Sequence, residues 1–208
     1  MEQKQRSSFT IRPHGTPGVW ASDHRRHAES AEHLLQELET VCIQEIEQWP
    51  LPAGKAVRNA KSDYPELYAL NRKRDRLSDS VTIFAAFAVE GFLNFYGVVR
   101  LGESVFNEHF ERLGLVSKLR LLLLICDSIS VSKEDPLVRT LVQLANGRNS
   151  LSHPKSKEYS PLLPAEERPS VLIPKAARDA VTNMKSFFAQ FVALVPEAMN
   201  LVPPDVNE

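Results

Sequence analysis

Residues 148 to 154 read RNSLSHP, which places an arginine, an asparagine and a histidine within six positions, followed by a proline. These are side chains for moving a proton while negative charge accumulates. Histidine titrates near neutrality and can take or give a proton, and a guanidinium holds paired oxygens through two parallel bonds. A proton transfer in which negative charge develops beside a fixed cation is the chemistry such a set would serve. At about 100° per residue, Asn149 and His153 lie about 40° apart on one helical face, whereas Arg148 and His153 differ by about 140°. Arg148 and His153 therefore converge only if the helix end distorts, which Pro154 favours, or if two copies of the chain meet across a symmetric interface. The alternative is structural: His153 would cap the last carbonyls of the helix, where positive charge is favoured. Both readings stand on these residues alone.

The pattern Arg148-Asn149-x-x-x-His153, near the end of a late helix, resembles the signature of the HEPN superfamily, in particular its RiboL-PSP-HEPN-like ribonuclease members. A second point of similarity is AFAVEGFLNFYG at 86 to 97, where Glu90 and Asn94 stand at i, i+4 in a buried, small-residue-rich helix. The resemblance extends from about Ala28 to Met199. It implies an all-α, up-and-down helical bundle that pairs into a homodimer and brings two Arg/His motifs into one cleft. It further implies a metal-independent endoribonuclease that leaves 2',3'-cyclic phosphate ends, in a toxin or defence setting with an antitoxin or other protein partner. Arg148 and His153 would carry the chemistry with Asn149 in support, and Glu90 would hold Arg148 in place. Toxins of this family often extend the motif to His-x-Tyr. Here Pro154 and Lys155 follow His153, so that tyrosine is absent, and its modification by a partner finds no support. Other members have lost catalysis and act as interaction modules, so a helical dimer that binds protein or RNA is the alternative.

Other residues have a chemical and a structural reading side by side. Glu90 lies in an apolar helix and must find a base, whether Arg148, Arg120, Arg139 or another, because a buried unpaired carboxylate is costly. Lys155, Lys157 and Tyr159 follow His153 and suit an RNA backbone and a stacked base. Arg58, Lys61, Arg72, Lys73, Arg74 and Arg76 form a cationic run that reads first as a solvated helix surface. His24 and His27, flanking Arg25 and Arg26, also read as exposed. No Asp/His/Cys cluster has metal-ligand spacing, and no glycine-rich phosphate loop occurs, so neither a metal nor another cofactor is expected.

The whole chain sets the frame for these groups. It has 208 residues, 43% hydrophobic and 25% charged, with a formal net charge of −1. That is enough to bury a core without staples, and it excludes a polybasic, histone-like protein. The two cysteines, Cys42 and Cys126, form no CxxC pair and read as buried free thiols of a reducing compartment. No apolar leader is seen, and the runs IFAAFAV and LLLLIC are far shorter than the roughly 20 residues of a membrane span. A cytoplasmic protein without membrane contact is expected.

Periodicity places the elements. Residues 1–22 read as a flexible tail and 23–200 as one helical domain, with a loose tail over 201–208. A first helix is expected from Ser22 or Asp23 to about Gln48, ended by WPLPAG. A second runs from Pro65 to about Arg100, with or without a break, with a solvated first half and a buried second half. Further helical segments follow from about Val105 and over LVSKLRLLLLIC. Asp135-Pro136 is a strong start signal for the helix that carries the motif. Residues 154–173 hold Pro154, Pro161, Pro164 and Pro169 and are expected to form an irregular flap. Pro174 should open the last helix. No strand pattern is evident.

Overall fold

The computed structural model describes residues 9–11, 17–19, 23–48, 60–152 and 169–204. It is a helical structure. The main helices are α1 (His24–Glu47), α3 (Pro65–Leu101), α5 (Leu115–Asp127), α6 (Pro136–Ser152) and α7 (Pro169–Leu194). Between and after them come the short helices α2 (Ala60–Asp63) and α4 (Glu103–His109), and a 3-10 turn at Pro196–Asn200. Helix α1 starts one residue after Asp23, and α6 starts at Pro136 with the Asp135 carboxylate accepting the Leu137 amide at 2.9 Å. Helix α3 runs unbroken for 37 residues. An 18-residue window in it has a mean hydropathy of 1.5, and 61% of that window is buried within the protein.

Several expectations need correction. Residues Phe9–Ile11 and Pro17–Val19 pair as a short antiparallel ribbon in a region expected to be without strands. Strands of three residues are too short to show an alternating pattern. Helix α7 begins at Pro169 and contains Pro174. Pro174, the sixth residue of this helix, is buried and lacks the N–H that would bond the carbonyl four residues earlier. Five residues of the expected flap are therefore helical, and 153–168 lie outside the described residues. The start of the C-terminal tail is packed, with Val202 buried. Finally, His24 is only 1% exposed.

Two compact units are distinguished, and α1, α3, α6 and α7 each contribute a segment to both. The first comprises Met1–His27, Phe87–Val142 and Lys185–Glu208. Its core is aromatic. Phe92 meets Phe188 and Phe191 edge to face at centroid distances of 5.3 and 4.9 Å, and Tyr96 meets Phe191 at 5.1 Å. Leu119, Leu122 and Leu123 of α5 complete it. Gly97 lets α4 come close, since a Cβ there would lie 2.4 Å from the Phe106 ring. The Tyr96 hydroxyl donates to the Asp127 carboxylate at 2.7 Å, and Arg100 pairs with the same carboxylate at 2.9 Å. His24 lies against Phe92 and Phe95 and bonds the Leu201 carbonyl at 2.7 Å through Nε2, so α1 and the chain's end are tied together.

The second unit comprises Ala28–Ala86 and Gln143–Met184. Leu38 and Val41 of α1, Leu77 and Val81 of α3, and Ala177 and Met184 of α7 form its apolar centre. Arg74, expected on a solvated surface, is 5% exposed. Its Nη1 reaches both Glu45 oxygens at 2.6 and 2.7 Å and the Asn71 amide oxygen at 2.7 Å, while Nη2 meets Asp75 at 2.8 Å. Burial alone would lower the guanidinium pKa, but these partners hold it above its ordinary value. Charge periodicity could not separate Arg74 from its neighbours: Arg72 and Arg76 are exposed, as is Lys73, which pairs with Glu37.

The His24 environment sets a pH dependence. Burial lowers its pKa from 6.5 to about 4, against the raising effect of the Leu201 bond. The fold favours neutral imidazole, so this stabilisation is complete above pH 6.5 and is lost as pH falls toward 4. The loss should be on the order of 3 kcal/mol, read as a falling denaturation midpoint that flattens over this window in His24→Gln. The Arg74 site makes a second prediction. Arg74→Ala leaves Glu45 without its ion-pair partner and should cost about 3 kcal/mol, whereas exposed Arg72→Ala should stay within about 0.5 kcal/mol. Urea unfolding of the two variants measures the difference, and equal midpoints would refute it.

Candidate functional site

The motif begins in the last turns of α6, whose apolar positions Leu137, Leu141 and Leu144 hold that helix to its neighbours. Arg148 is half-buried, Asn149 is exposed, and the guanidinium Nη2 donates to the Asn149 amide oxygen at 3.3 Å. Asn149 thus orients the arginine. The Ser150 and Ser152 hydroxyls donate back to the carbonyls of Gly147 and Arg148, at 2.7 and 3.1 Å. His153, Lys155, Lys157 and Tyr159 lie outside the described residues, and so does Arg58 of the cationic run.

Glu90 and Asn94 are found with a base that periodicity passed over. Lys118, in the middle of LVSKLRLLLLIC, is 2% exposed. Its ammonium donates to Asn94 Oδ1 at 2.6 Å and to the Glu111 carbonyl at 3.3 Å, and lies 5.4 Å from the centre of the Phe106 ring. Burial lowers the Lys118 pKa, and the charges of Glu90 and Glu111 oppose that shift. Arg120, another base considered for Glu90, donates instead to the Val131 carbonyl at 3.0 Å. The signal for Lys118 was its place on the apolar face, four residues before Leu122, where a charged residue is rarely accidental.

A cavity of about 730 Å³ opens in the second unit, lined by segments of α3, α6 and α7. Gln143, Leu144, Asn146, Gly147, Ser150 and Leu151 form the α6 part of its lining, a broad face centred near Gln143 and Gly147. At about 100° per residue, Arg148 and Asn149 both fall more than about 90° from the centre of that face. The motif and the cavity therefore use different sides of the same helix. Gly147 permits the close approach of α3, since a Cβ there would come within 3.2 Å of the Thr82 methyl. The α3 part of the lining, Ser78, Asp79 and Thr82, escaped sequence reading. Its signal was a polar set at i, i+1 and i+4 where the charged first half of α3 gives way to the apolar second half.

Cys42 and Cys126 are free, and burial pushes both thiols above their ordinary pKa, which makes them poor nucleophiles. Among the described residues, no three His, Cys, Asp or Glu side chains gather as a metal site. Comparison of the chain with protein-family models, with curated proteins and with solved structures finds no match.

Proposed function

We propose that this protein is a HEPN-type endoribonuclease, a cytoplasmic homodimer that cuts RNA without a metal or other cofactor. What carries the reading is the motif itself. Arg148 and Asn149 sit on the last turns of α6, mutually bonded, with His153 following directly in the sequence. In the reaction, a neutral imidazole takes the proton of the ribose 2'-hydroxyl, and O2' attacks phosphorus. The P–O5' bond breaks, and a protonated imidazole supplies the proton that O5' needs, leaving a 2',3'-cyclic phosphate and a free 5'-hydroxyl. Arg148 neutralises the charge that gathers on the non-bridging oxygens. The nucleophile is internal to the substrate, so no metal-bound water is required.

Two imidazoles, one from each copy, would divide the base and acid roles. Lys155 and Lys157 would hold the RNA backbone and Tyr159 would stack on a base. Glu90 and Asn94, together with Lys118, would support the helix face rather than touch RNA. Such an enzyme fits a toxin or defence role restrained by a protein partner.

A second reading draws support from one observation. Leu121, Leu124 and Ile125 stand exposed at i, i+3 and i+4 along α5. An apolar stripe of this kind suits a helical dimer that binds protein or RNA without cutting it.

RNA cleavage in excess chelator decides between them. Arg148→Ala and His153→Ala should each lower the rate by about 10²–10⁴-fold, with fold and dimer retained and wild-type products ending in cyclic phosphate. Cleavage that needs a divalent ion, or that survives both substitutions, would overturn the mechanism. A wild type that binds RNA and never cuts it would favour the second reading.

A further inference from the structure

Four exposed side chains follow one another along the first turns of α3: Tyr64, Tyr68, Arg72 and Arg76, each four residues after the last. Tyr64 stands just before Pro65, and its carbonyl accepts the Tyr68 amide at 3.0 Å, so it already belongs to the helical turn. Residues four apart are neighbours on a helix surface, and the ridge they form runs about 18 Å. At about 100° per residue, its centre lies about 170° from the side on which Lys73 and Arg74 bond Glu37 and Glu45 of α1. The ridge therefore faces away from α1. Bonding divides the cationic run in two. Lys73 and Arg74 are taken up by acids of the second unit, whereas Arg72 and Arg76 have no carboxylate partner among the described residues. Arg76 bonds the Arg72 carbonyl at 3.2 Å. The rings of Tyr64 and Tyr68 are 36% and 37% exposed, and neither meets another ring among the described residues. Of the acids nearby, Glu66 lies about 160° from both tyrosines, Asp75 bonds Arg74, and Asp79 belongs to the cavity lining beyond the ridge. The two cations left without an acid are thus the two in register with the exposed rings.

We infer that this ridge is a docking surface for single-stranded RNA, with bases stacked on Tyr64 and Tyr68 and backbone phosphates held by Arg72 and Arg76. Every base has a flat π-face, so stacking on an aromatic ring tolerates any sequence, and a cationic track beside such rings is the surface that single strands need. A guanidinium holds a phosphate through two parallel bonds. A duplex hides its base faces in the stack and could use the arginines alone. An acidic peptide would likewise leave both rings without a partner. The choice of RNA rests on the ribonuclease reading above, in which the ridge holds the substrate that Arg148 and His153 cut. The stacking and charge argument for a single strand stands without it.

The test is fluorescence anisotropy of the full chain with a labelled 2'-O-methyl oligouridine, which has no free 2'-hydroxyl and so reads binding without cleavage. Wild type should bind it saturably, and more tightly than its duplex with the complementary strand. Tyr64→Ala and Tyr68→Ala should each weaken binding about 5- to 100-fold with the salt dependence unchanged. Tyr68→Phe should bind as wild type does, since stacking needs the ring and not the hydroxyl. Arg72→Gln and Arg76→Gln should each lower the slope of log affinity against log salt by about 0.7. Lys133→Gln, at an exposed cation outside α3, should change neither quantity. All of these positions are exposed, so the variants should melt with the wild type. No saturable binding by wild type, alanine variants that bind as wild type does, or equal affinity for the duplex would overturn the ridge. Displacement of the oligonucleotide by an equal concentration of polyglutamate would mean a site for acidic protein and would overturn the RNA assignment. If the ridge variants behave as expected and the wild type never cuts RNA, the ribonuclease reading fails and the docking surface stands. Cleavage by a wild type whose binding ignores the tyrosines is the reverse result.

Discussion

Helix α3 buries one side along most of its 37 residues, and the polar groups on that side must be satisfied. Much of the structure follows from this. Near its start, Arg74 is matched by Glu45, Asp75 and Asn71. A turn later, Ser78 and Thr82 return their protons to the helix's own backbone. Farther on, Asn94 accepts from the buried Lys118, and Tyr96 is bound by Asp127 and Arg100. Each match fixes a neighbour: Glu45 fixes α1, whereas Lys118 and Asp127 fix α5. Apolar contact alone could slide along a helix as uniform as VTIFAAFAVEGFLNFYGVV, because one small apolar side chain packs much like the next. Charged pairs with one good geometry cannot slide. They are a source of register more than of net stability, since a buried ion pair returns little beyond its desolvation cost.

The helical class and the start of α6 were legible in the sequence, because they rest on local rules. An i, i+3, i+4 stripe needs only its own residues to be recognised, and Asp135-Pro136 supplies both the cap and the fixed φ of a first turn. The errors came where a distant residue decides the outcome. Nothing local separates Arg74 from Arg72 or Arg76; only Glu45, 29 positions earlier, makes one of the three interior. His24 looked solvated beside Arg25 and Arg26, and its burial depends on the Leu201 carbonyl, 177 positions away. Proline usually marks a helix start, but at Pro174 five preceding residues have already begun the helix. As for the site, the motif was visible as a residue pattern, yet the bond from Arg148 to Asn149 was not, since adjacent side chains on a helix point about 100° apart. The cavity was hidden altogether, because it takes three segments to make it.

The two sides of α6 set up opposite electrostatic environments within a few residues of each other. On one side, Ser150 lies with Asp79 and Asp179 along a cavity whose described lining residues include no lysine, arginine or histidine, though Lys175 pairs with Asp179. On the other, Arg148 projects with Asn149, and Lys155 and Lys157 follow in the sequence. A polyanion near this helix meets attraction on one face and repulsion on the other, and so would approach in one orientation. In a chain with a net charge of −1, the proposed RNA binding would rest on this local segregation and not on the overall basic charge by which many nucleic-acid-binding proteins attract their targets. The same segregation explains why one helix can carry both features without conflict.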